Sequence, residues 1–419
     1  MAFQQGLSGL NATSKNLSVI GNNIANANTF GAKSARAEFA DVYANAINGS
    51  GATAIGIGVT VTAVKQQFTQ GNITTTENAL DLAINGNGFF QLESAGATLY
   101  SRNGQFQIDK TGYVVNFAGQ RLQGYAAASD GTIIPSTVQA IQLPTAGVAP
   151  AASAKVTLEM NLDSRKPITL PAAAPMIDFQ DATTYNNATS LKVFDAKGQE
   201  VALTYYFQKA ASDNWNVYVT ANGTSILNAP GGPQPVTNMV FAPDGGSLLA
   251  PIGPALIDIP SVTLTDGGSS LAINGVELNL STATQYGAGF SVTDLSQDGY
   301  APGQLVAVNI DDTGVLKAEY SNGQSKAAGQ LVLASFRNPQ GLQPLGGNSW
   351  ASSFGSGDPV VGPAGQGNLG VLQSGALEES NVDLTSELVA MITAQRAYQA
   401  NAQSIKTEDQ VLQTLVNLR

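Results

Sequence analysis

Apolar side chains keep two different periods along the chain, and the change of period divides it. From Phe3 to Ile24, the residues Phe3, Leu7, Leu10, Leu17 and Ile24 follow a 4-3 spacing, with Ser14 and Gly21 in the remaining positions. This heptad-like stripe predicts a helix with a seam for a partner helix. The same register returns at the other end in Leu384, Leu388, Met391, Tyr398, Ala402, Ile405, Leu412 and Val416, interrupted by Gln395 and Asp409. It predicts a second helix from Val382 to Asn417, roughly 54 Å long at about 1.5 Å per residue. Asp383 and Glu387 near its start and Arg419 at its end suit the helix dipole. The N-terminal helix carries Gly6, Gly9 and Gly21 and a single charge, Lys15, so it is marginal alone in water. Two seam-bearing helices without a third to complete a bundle need partners, which are each other and further copies of the chain.

Between the ends the period drops to two. Val59 to Val64 alternates, and Phe89 to Leu92 follows the turn Asn85-Gly86-Asn87-Gly88. Phe106–Ile108 and Tyr113–Val115 flank Asp109-Lys110-Thr111-Gly112, a hairpin signature. Leu191–Phe194, Val201–Phe207 and Trp215–Thr220 read as a meander, and Leu305–Ile310, Val315–Tyr320 and Leu331–Phe336 as a further β block. Low-complexity or glycine-rich joints lie at Gly147–Ala154, at Gln285–Gly289 and at Gly355–Gly370. Ile108-Asp109-Lys110-Thr111-Gly112 matches Ile310-Asp311-Asp312-Thr313-Gly314 across the segment 147–289. One β domain is therefore expected in two halves with a second inserted between them. The expected fold is mainly β with paired terminal α-helices: nested discontinuous domains, β-rich outer domains and a coiled-coil inner domain.

Composition narrows the chemistry. The 419 residues include no His and no Cys, which removes Ser-His and Cys-His nucleophiles, thiolate redox chemistry and common zinc sites. Charged residues make up only 12%, and Lys+Arg (19) against Asp+Glu (30) gives a net charge of −11, too few cations for a nucleic-acid footprint. No apolar run is long enough for a membrane-spanning helix, and the N-terminus lacks the basic and apolar regions of a cleaved secretory signal. Asp312-Thr313-Gly314 matches the aspartic-protease tripeptide, but that reaction needs a second such carboxylate, so a hairpin turn is the better reading. Glu378, Glu379, Asp383 and Glu387 lack calcium-loop spacing and read as a helix start. Gly56-Ile57-Gly58 and Gly86-Asn87-Gly88 lack the third glycine of a dinucleotide site and read as turns. No catalytic, cofactor-binding or metal-binding residue is assigned, and no enzymatic activity is expected.

At this point the chain resembles the axial proteins of the bacterial flagellum, the rod and hook family, most closely on its hook side. The resemblance is carried by Ser8-Gly9-Leu10-Asn11 and Ile20-Gly21-Asn22-Asn23-Ile24-Ala25-Asn26-Ala27-Asn28-Thr29-Phe30-Gly31. It is carried equally by Gly375 to Leu384, Met391 to Tyr398 and Leu412 to Arg419. Asn87–Phe90, Tyr100–Phe106 and Leu122–Tyr125 add internal matches, while 147–289 is less similar. One departure is Ala32, between Gly31 and Lys33, where the family usually places an aromatic ring; Phe30 is the nearest ring available.

The resemblance implies a structural subunit that leaves the cell unfolded through the flagellar type III export channel, without a cleaved signal peptide. Outside the cell it builds the hook, a flexible hollow tube that acts as a universal joint and passes motor torque to the filament. It implies helical self-assembly and contacts with the hook cap, the distal rod, the hook–filament junction proteins and the export apparatus, with no nucleic acid and no membrane insertion. Assembly contacts would come from Phe3, Leu7, Leu10, Leu17, Ile20 and Ile24, and from Leu384, Leu388, Met391, Tyr398, Ile405 and Leu412. Asn22, Asn23, Asn26, Thr29 and Gly31 form the family motif. The implied domains are 1–30 with 380–419 (coiled coil lining the channel), 31–70 with 355–379 (connections), 71–146 with 290–354 (discontinuous β domain) and 147–289 (inserted outer β domain). The alternatives are a distal rod protein of the same family, typically shorter, and a secreted β-rich adhesin, which leaves the terminal heptads unexplained.

Overall fold

The periodic ends fold as helices α1 (Ala2–Ala25) and α2 (Leu384–Asn417) in the computed structural model, which describes residues 2–42, 56–128, 130–144, 146–264 and 266–417. The side chain of Val416, residue Arg419 and the stretch 43–55 lie outside the described residues. Asp383 caps α2: its Oδ1 accepts the Thr385 N–H at 2.9 Å, and its carbonyl accepts the Glu387 N–H at 3.0 Å. An acidic cap at the positive end of a helix satisfies backbone donors that otherwise lack partners. α1 has no acidic residue in its first turn and no basic residue in its last, so packing has to hold it.

The chain forms two compact units. The first comprises Met1–Thr145, Ala307–Glu319 and Ser325–Arg419; the second comprises Ala146–Val306 and Tyr320–Gln324. In the first, the strand Ser325–Ser335 pairs antiparallel with strands far away in sequence, placing Gln330 opposite Tyr125, Leu333 opposite Phe90 and Leu333 opposite Gly362. Its side chains alternate between two apolar clusters, as the strand period requires. Leu331 and Leu333 join Leu82, Ile84, Phe90, Leu122 and Leu372 on one face. Ala334 joins Phe89, Tyr100, Phe336 and Trp350 on the other, where the rings meet edge to face. The glycine- and proline-rich stretch after residue 355 contributes the strand Val360–Pro363 to this sheet.

The matched turns have the same geometry. Asp109 Oδ1 accepts the N–H groups of Thr111 (2.8 Å) and Tyr113 (2.9 Å), and Asp311 Oδ1 accepts those of Thr313 (3.1 Å) and Val315 (2.9 Å). Gly112 and Gly314 both take φ above +80°, a conformation that a Cβ would strain. Each loop is also clipped by a glutamine amide, Gln142 to the Thr111 carbonyl and Gln330 to the Thr313 carbonyl. The tripeptide Asp312-Thr313-Gly314 thus lies inside a strand turn whose side-chain acceptor is the preceding residue, Asp311.

The second unit is a sandwich. Lys155–Asn161 lies between Ile273–Asn279, parallel, and Ser291–Gln297, antiparallel. The other sheet runs Asn187–Phe194, Glu200–Ala211, Asn214–Ala221, Thr237–Phe241, Leu248–Ala250, all antiparallel. Val201, Leu203, Tyr205, Phe207, Trp215 and Val217 of this sheet share one core with Val156, Leu158, Val276 and Leu278 of the first. The Trp215 indole donates to Gln285 Oε1 at 3.0 Å, so even the largest core side chain keeps its polar atom paired.

Asp163, in this unit, accepts from Arg165 Nε (2.9 Å) and Nη2 (3.0 Å) and from the Arg165 N–H (3.0 Å). The Arg165 guanidinium above all holds its pKa at about 2, against an ordinary 3.8. The folded state thus binds this proton less readily than the unfolded chain. The stability it contributes is complete above pH 3.8 and is lost as the pH falls towards 2. Urea unfolding of Asp163→Asn between pH 5 and pH 2 should show a weaker loss of stability with acid than the parent chain.

Candidate functional site

The helices lie antiparallel, and small side chains let their backbones approach. A Cβ on Gly6 would stand 2.9 Å from Ile405 Cγ1, and one on Gly9 would stand 2.9 Å from Asn401 Nδ2. Near the other end of α1, the Asn23 amide donates to Glu387 Oε1 at 2.9 Å. Between these points Gly9, Ala12, Thr13 and Asn16 face Ala390, Thr393 and Ala394 across a groove. The most buried positions of α1 are accordingly Gly6, Ala12, Ile20 and Asn23.

The larger apolar stripe is left outward. Phe3, Leu7, Leu384, Leu388, Val389, Ile392 and Leu412 are exposed, while Leu10, Leu17, Ile24, Met391 and Ile405 are half-buried and Tyr398 sits at the border. α2 is also longer by ten residues (34 against 24), about 15 Å at the helical rise. With Gly6 opposite Ile405, its last turns run past the start of α1. Both helices thus leave large apolar side chains exposed after they have paired with each other.

Below the helices, the two chain crossings that root them are tied together by buried polar groups. Glu378 lies 1% exposed at the end of the strand Ala376–Glu378. Its Oε1 accepts from Lys33 Nζ (2.6 Å) and the Gly71 N–H (2.9 Å), and its Oε2 accepts from Arg102 Nη1 (3.1 Å). Lys33 Nζ also donates to the Thr69 carbonyl at 2.7 Å, and Arg102 Nη2 donates to the Gly86 carbonyl at 2.9 Å. Arg102 lies over the Phe89 ring. Burial acts first on both cations and pushes their pKa values down, and the Glu378 carboxylate opposes it.

Asparagines extend this knot. Asn23 both donates to the Ala35 carbonyl and accepts its N–H, each at 2.8 Å. Asn381 accepts the Ser34 N–H at 2.7 Å and donates to the Gln67 carbonyl at 2.8 Å. Asn348 donates to the Phe30 carbonyl at 3.0 Å. Gly31, at φ +70°, donates its N–H to the Glu378 carbonyl, and a Cβ there would meet the Asn103 nitrogen at 2.4 Å. Only glycine satisfies both demands. Ala32 is buried and lines a cavity of about 200 Å³ with Lys33, Gln66 and Trp350.

Comparison with known proteins decides the family. The flagellar hook protein FlgE of Escherichia coli (strain K12) is 41% identical over 100% of this chain and 100% of its own length. The chain belongs to the flagellar hook protein family. The hook protein FlgE of Salmonella typhimurium is also 41% identical over both full lengths, and that of Rhizobium meliloti is 33% identical over 100% of this chain and 98% of its own. Family models match in order along the chain: a flagella basal body rod protein model over 3–33, the flagellar hook protein FlgE/F/G D1 domain over 83–158, the flagellar basal body protein FlaE D2 domain over 161–300, and the basal body rod FlgEFG protein C-terminal model over 373–418. The crystal structure of a Helicobacter pylori hook protein, FlgE2, is similar in fold at a TM-score of 0.53 and 15% identity, covering 73% of this chain and all of that one. The end-to-end hook relatives set aside the distal-rod and adhesin alternatives.

For this hook-family chain, the motif residues divide by role. Asn23 and Gly31 are structural contacts of the knot, whereas Asn26 closes the end of α1 on Asn22, and the Thr29 N–H donates to the Asn26 carbonyl. Reading Glu378 as part of a helix start is corrected: it ends a strand and carries the buried ion cluster. Arg102 and Asn381 were not singled out either. The partners that matter, Glu378 for Arg102 and Ser34 and Gln67 for Asn381, lie hundreds of residues away, and no local period reports such pairings. Asn23→Ala removes three hydrogen bonds at the root of α1. It should cost the monomer about 1–3 kcal/mol in denaturant unfolding, whereas Ala at the exposed Asn22 should change stability by no more than about 0.5 kcal/mol.

Proposed function

We propose that this chain is the repeating subunit of the flagellar hook, a flexible hollow tube that acts as a universal joint and carries motor torque to the filament. The observation that carries the reading is the apolar stripe left outward on both terminal helices, with Leu388 50% and Ile392 52% exposed although α1 and α2 already pack together. Copies of the chain cover that stripe. In this reading residues 1–30 and 380–419 form a coiled-coil inner domain around a central channel, 31–70 and 355–379 connect it outward, 71–146 with 290–354 form the discontinuous β domain, and 147–289 form the outer domain nested within it. The subunit is exported unfolded by the type III apparatus without a cleaved signal. It meets the hook cap, the distal rod and the hook–filament junction proteins at the ends of the tube.

The scarcity of charge fits bending. Neutral hydrogen-bonding side chains can exchange partners at small cost when neighbouring subunits slide, whereas a lattice of ion pairs favours one register.

Electron microscopy of cells lacking this chain should show basal bodies and rods without hooks or filaments; intact hooks would overturn the assignment. Removing residues 1–30 and 382–419 should leave a folded β monomer that forms no tubes. Tubes built by the truncated protein would rule out the terminal helices as the assembly contacts.

A further inference from the structure

The ion cluster at Glu378 contains more cation than anion: two buried cations share one buried carboxylate, and Arg102 Nε has no partner among the described residues. Such a site depends steeply on its single anion. With Glu378 absent, Lys33 and Arg102 face each other unneutralised, and neither can be taken out of water without a penalty of several kcal/mol. Glu378 follows Lys33 by 345 residues and Arg102 by 276. Contacts between such distant segments close very long loops and form late unless something local draws them in.

The backbone repeats the dependence. The strand Ile73–Thr75 pairs with Ala376–Glu378, and Leu82–Asn85 pairs with Val371–Ser374, each as a two-stranded sheet. Leu82, Ile84 and Leu372 belong to the main core of the first unit, so that core stays incomplete until residues 371–378 dock. The same docking brings the Glu378 carbonyl to the Gly31 N–H and Asn381 to the Ser34 N–H. α1 and α2 are rooted at these positions.

We infer that the Lys33–Glu378–Arg102 cluster is a closing latch: the segment 371–381 docks last, and only then are the roots of α1 and α2 fixed side by side. A chain whose C-terminal segment has not arrived holds its N-terminal third open and cannot present the helix pair. The link to tube growth rests on the proposed function, but the latch is a property of the single chain and is tested there.

The experiment is stopped-flow refolding and unfolding of the full-length monomer, parent against Glu378→Gln, with native-state hydrogen exchange on both. A late latch predicts that Glu378→Gln speeds unfolding about a hundredfold or more while the folding rate stays within about twofold. It also predicts that the amides of Leu82–Asn85 lose protection together with those of Ala376–Glu378, while those of Trp215–Thr220 keep theirs. A folding rate that drops with stability, at a nearly constant unfolding rate, would make the cluster a nucleus and overturn the latch. Unchanged protection at Leu82–Asn85 would overturn it as well. If Glu378→Gln does not fold, Glu378→Asp, which keeps the charge but withdraws it by one methylene, is read by the same two criteria. Since neither readout involves polymerisation, a failure of the hook assignment leaves this result standing.

Discussion

A single carboxylate, almost wholly enclosed, ties the segments that root the two terminal helices to one another. Glu378 satisfies Lys33, Arg102 and the Gly71 amide at once, and its own carbonyl takes the Gly31 amide. Burying charge is costly, and an apolar cluster of similar volume can match such a site for stability. What an apolar cluster lacks is direction. A carboxylate bridging two specific cations fixes which segment docks, in which register, and therefore where both helices leave the β body. The asparagines around it continue this in neutral form, pairing with backbone groups of the other crossing segment.

Much of the fold was legible because it is written in local periods. The heptads of α1 and α2, the Asp-x-Thr-Gly turns and the alternation in Val201–Phe207 and Trp215–Thr220 all report structure within a few residues, and the observed elements follow them closely. The first-unit strand Ser325–Ser335 begins earlier than its apolar stretch from Leu331, since Ser325–Gln330 is held by its neighbours rather than by alternation. The functional core was less legible. Glu378 looks like any acid ahead of a helix, and its role follows only from Lys33 and Arg102, which the sequence separates from it by most of its length. The face α1 turns to α2 was also hidden. An apolar stripe advertises a seam, but the contact within the monomer uses Gly6, Gly9 and Ala12, whose lack of bulk is the qualification.

That division between small and large faces separates two kinds of packing. Glycine and alanine bring the two helices of one chain close, with Ile405 against Gly6, while Phe3, Leu7, Leu384, Leu388, Val389, Ile392 and Leu412 remain exposed. The pairing inside a subunit and the apolar side chains left exposed therefore draw on largely different residues.

The enclosure of the ion cluster has a bearing on the medium in which the protein works. Dissolved salt screens exposed charges over about 8–10 Å, but it reaches enclosed pairs poorly. Lys33 and Glu378 are almost wholly enclosed, and the chain has no His or Cys to titrate near neutrality. Changes in salinity therefore act weakly on the contact that joins the helices to the β body.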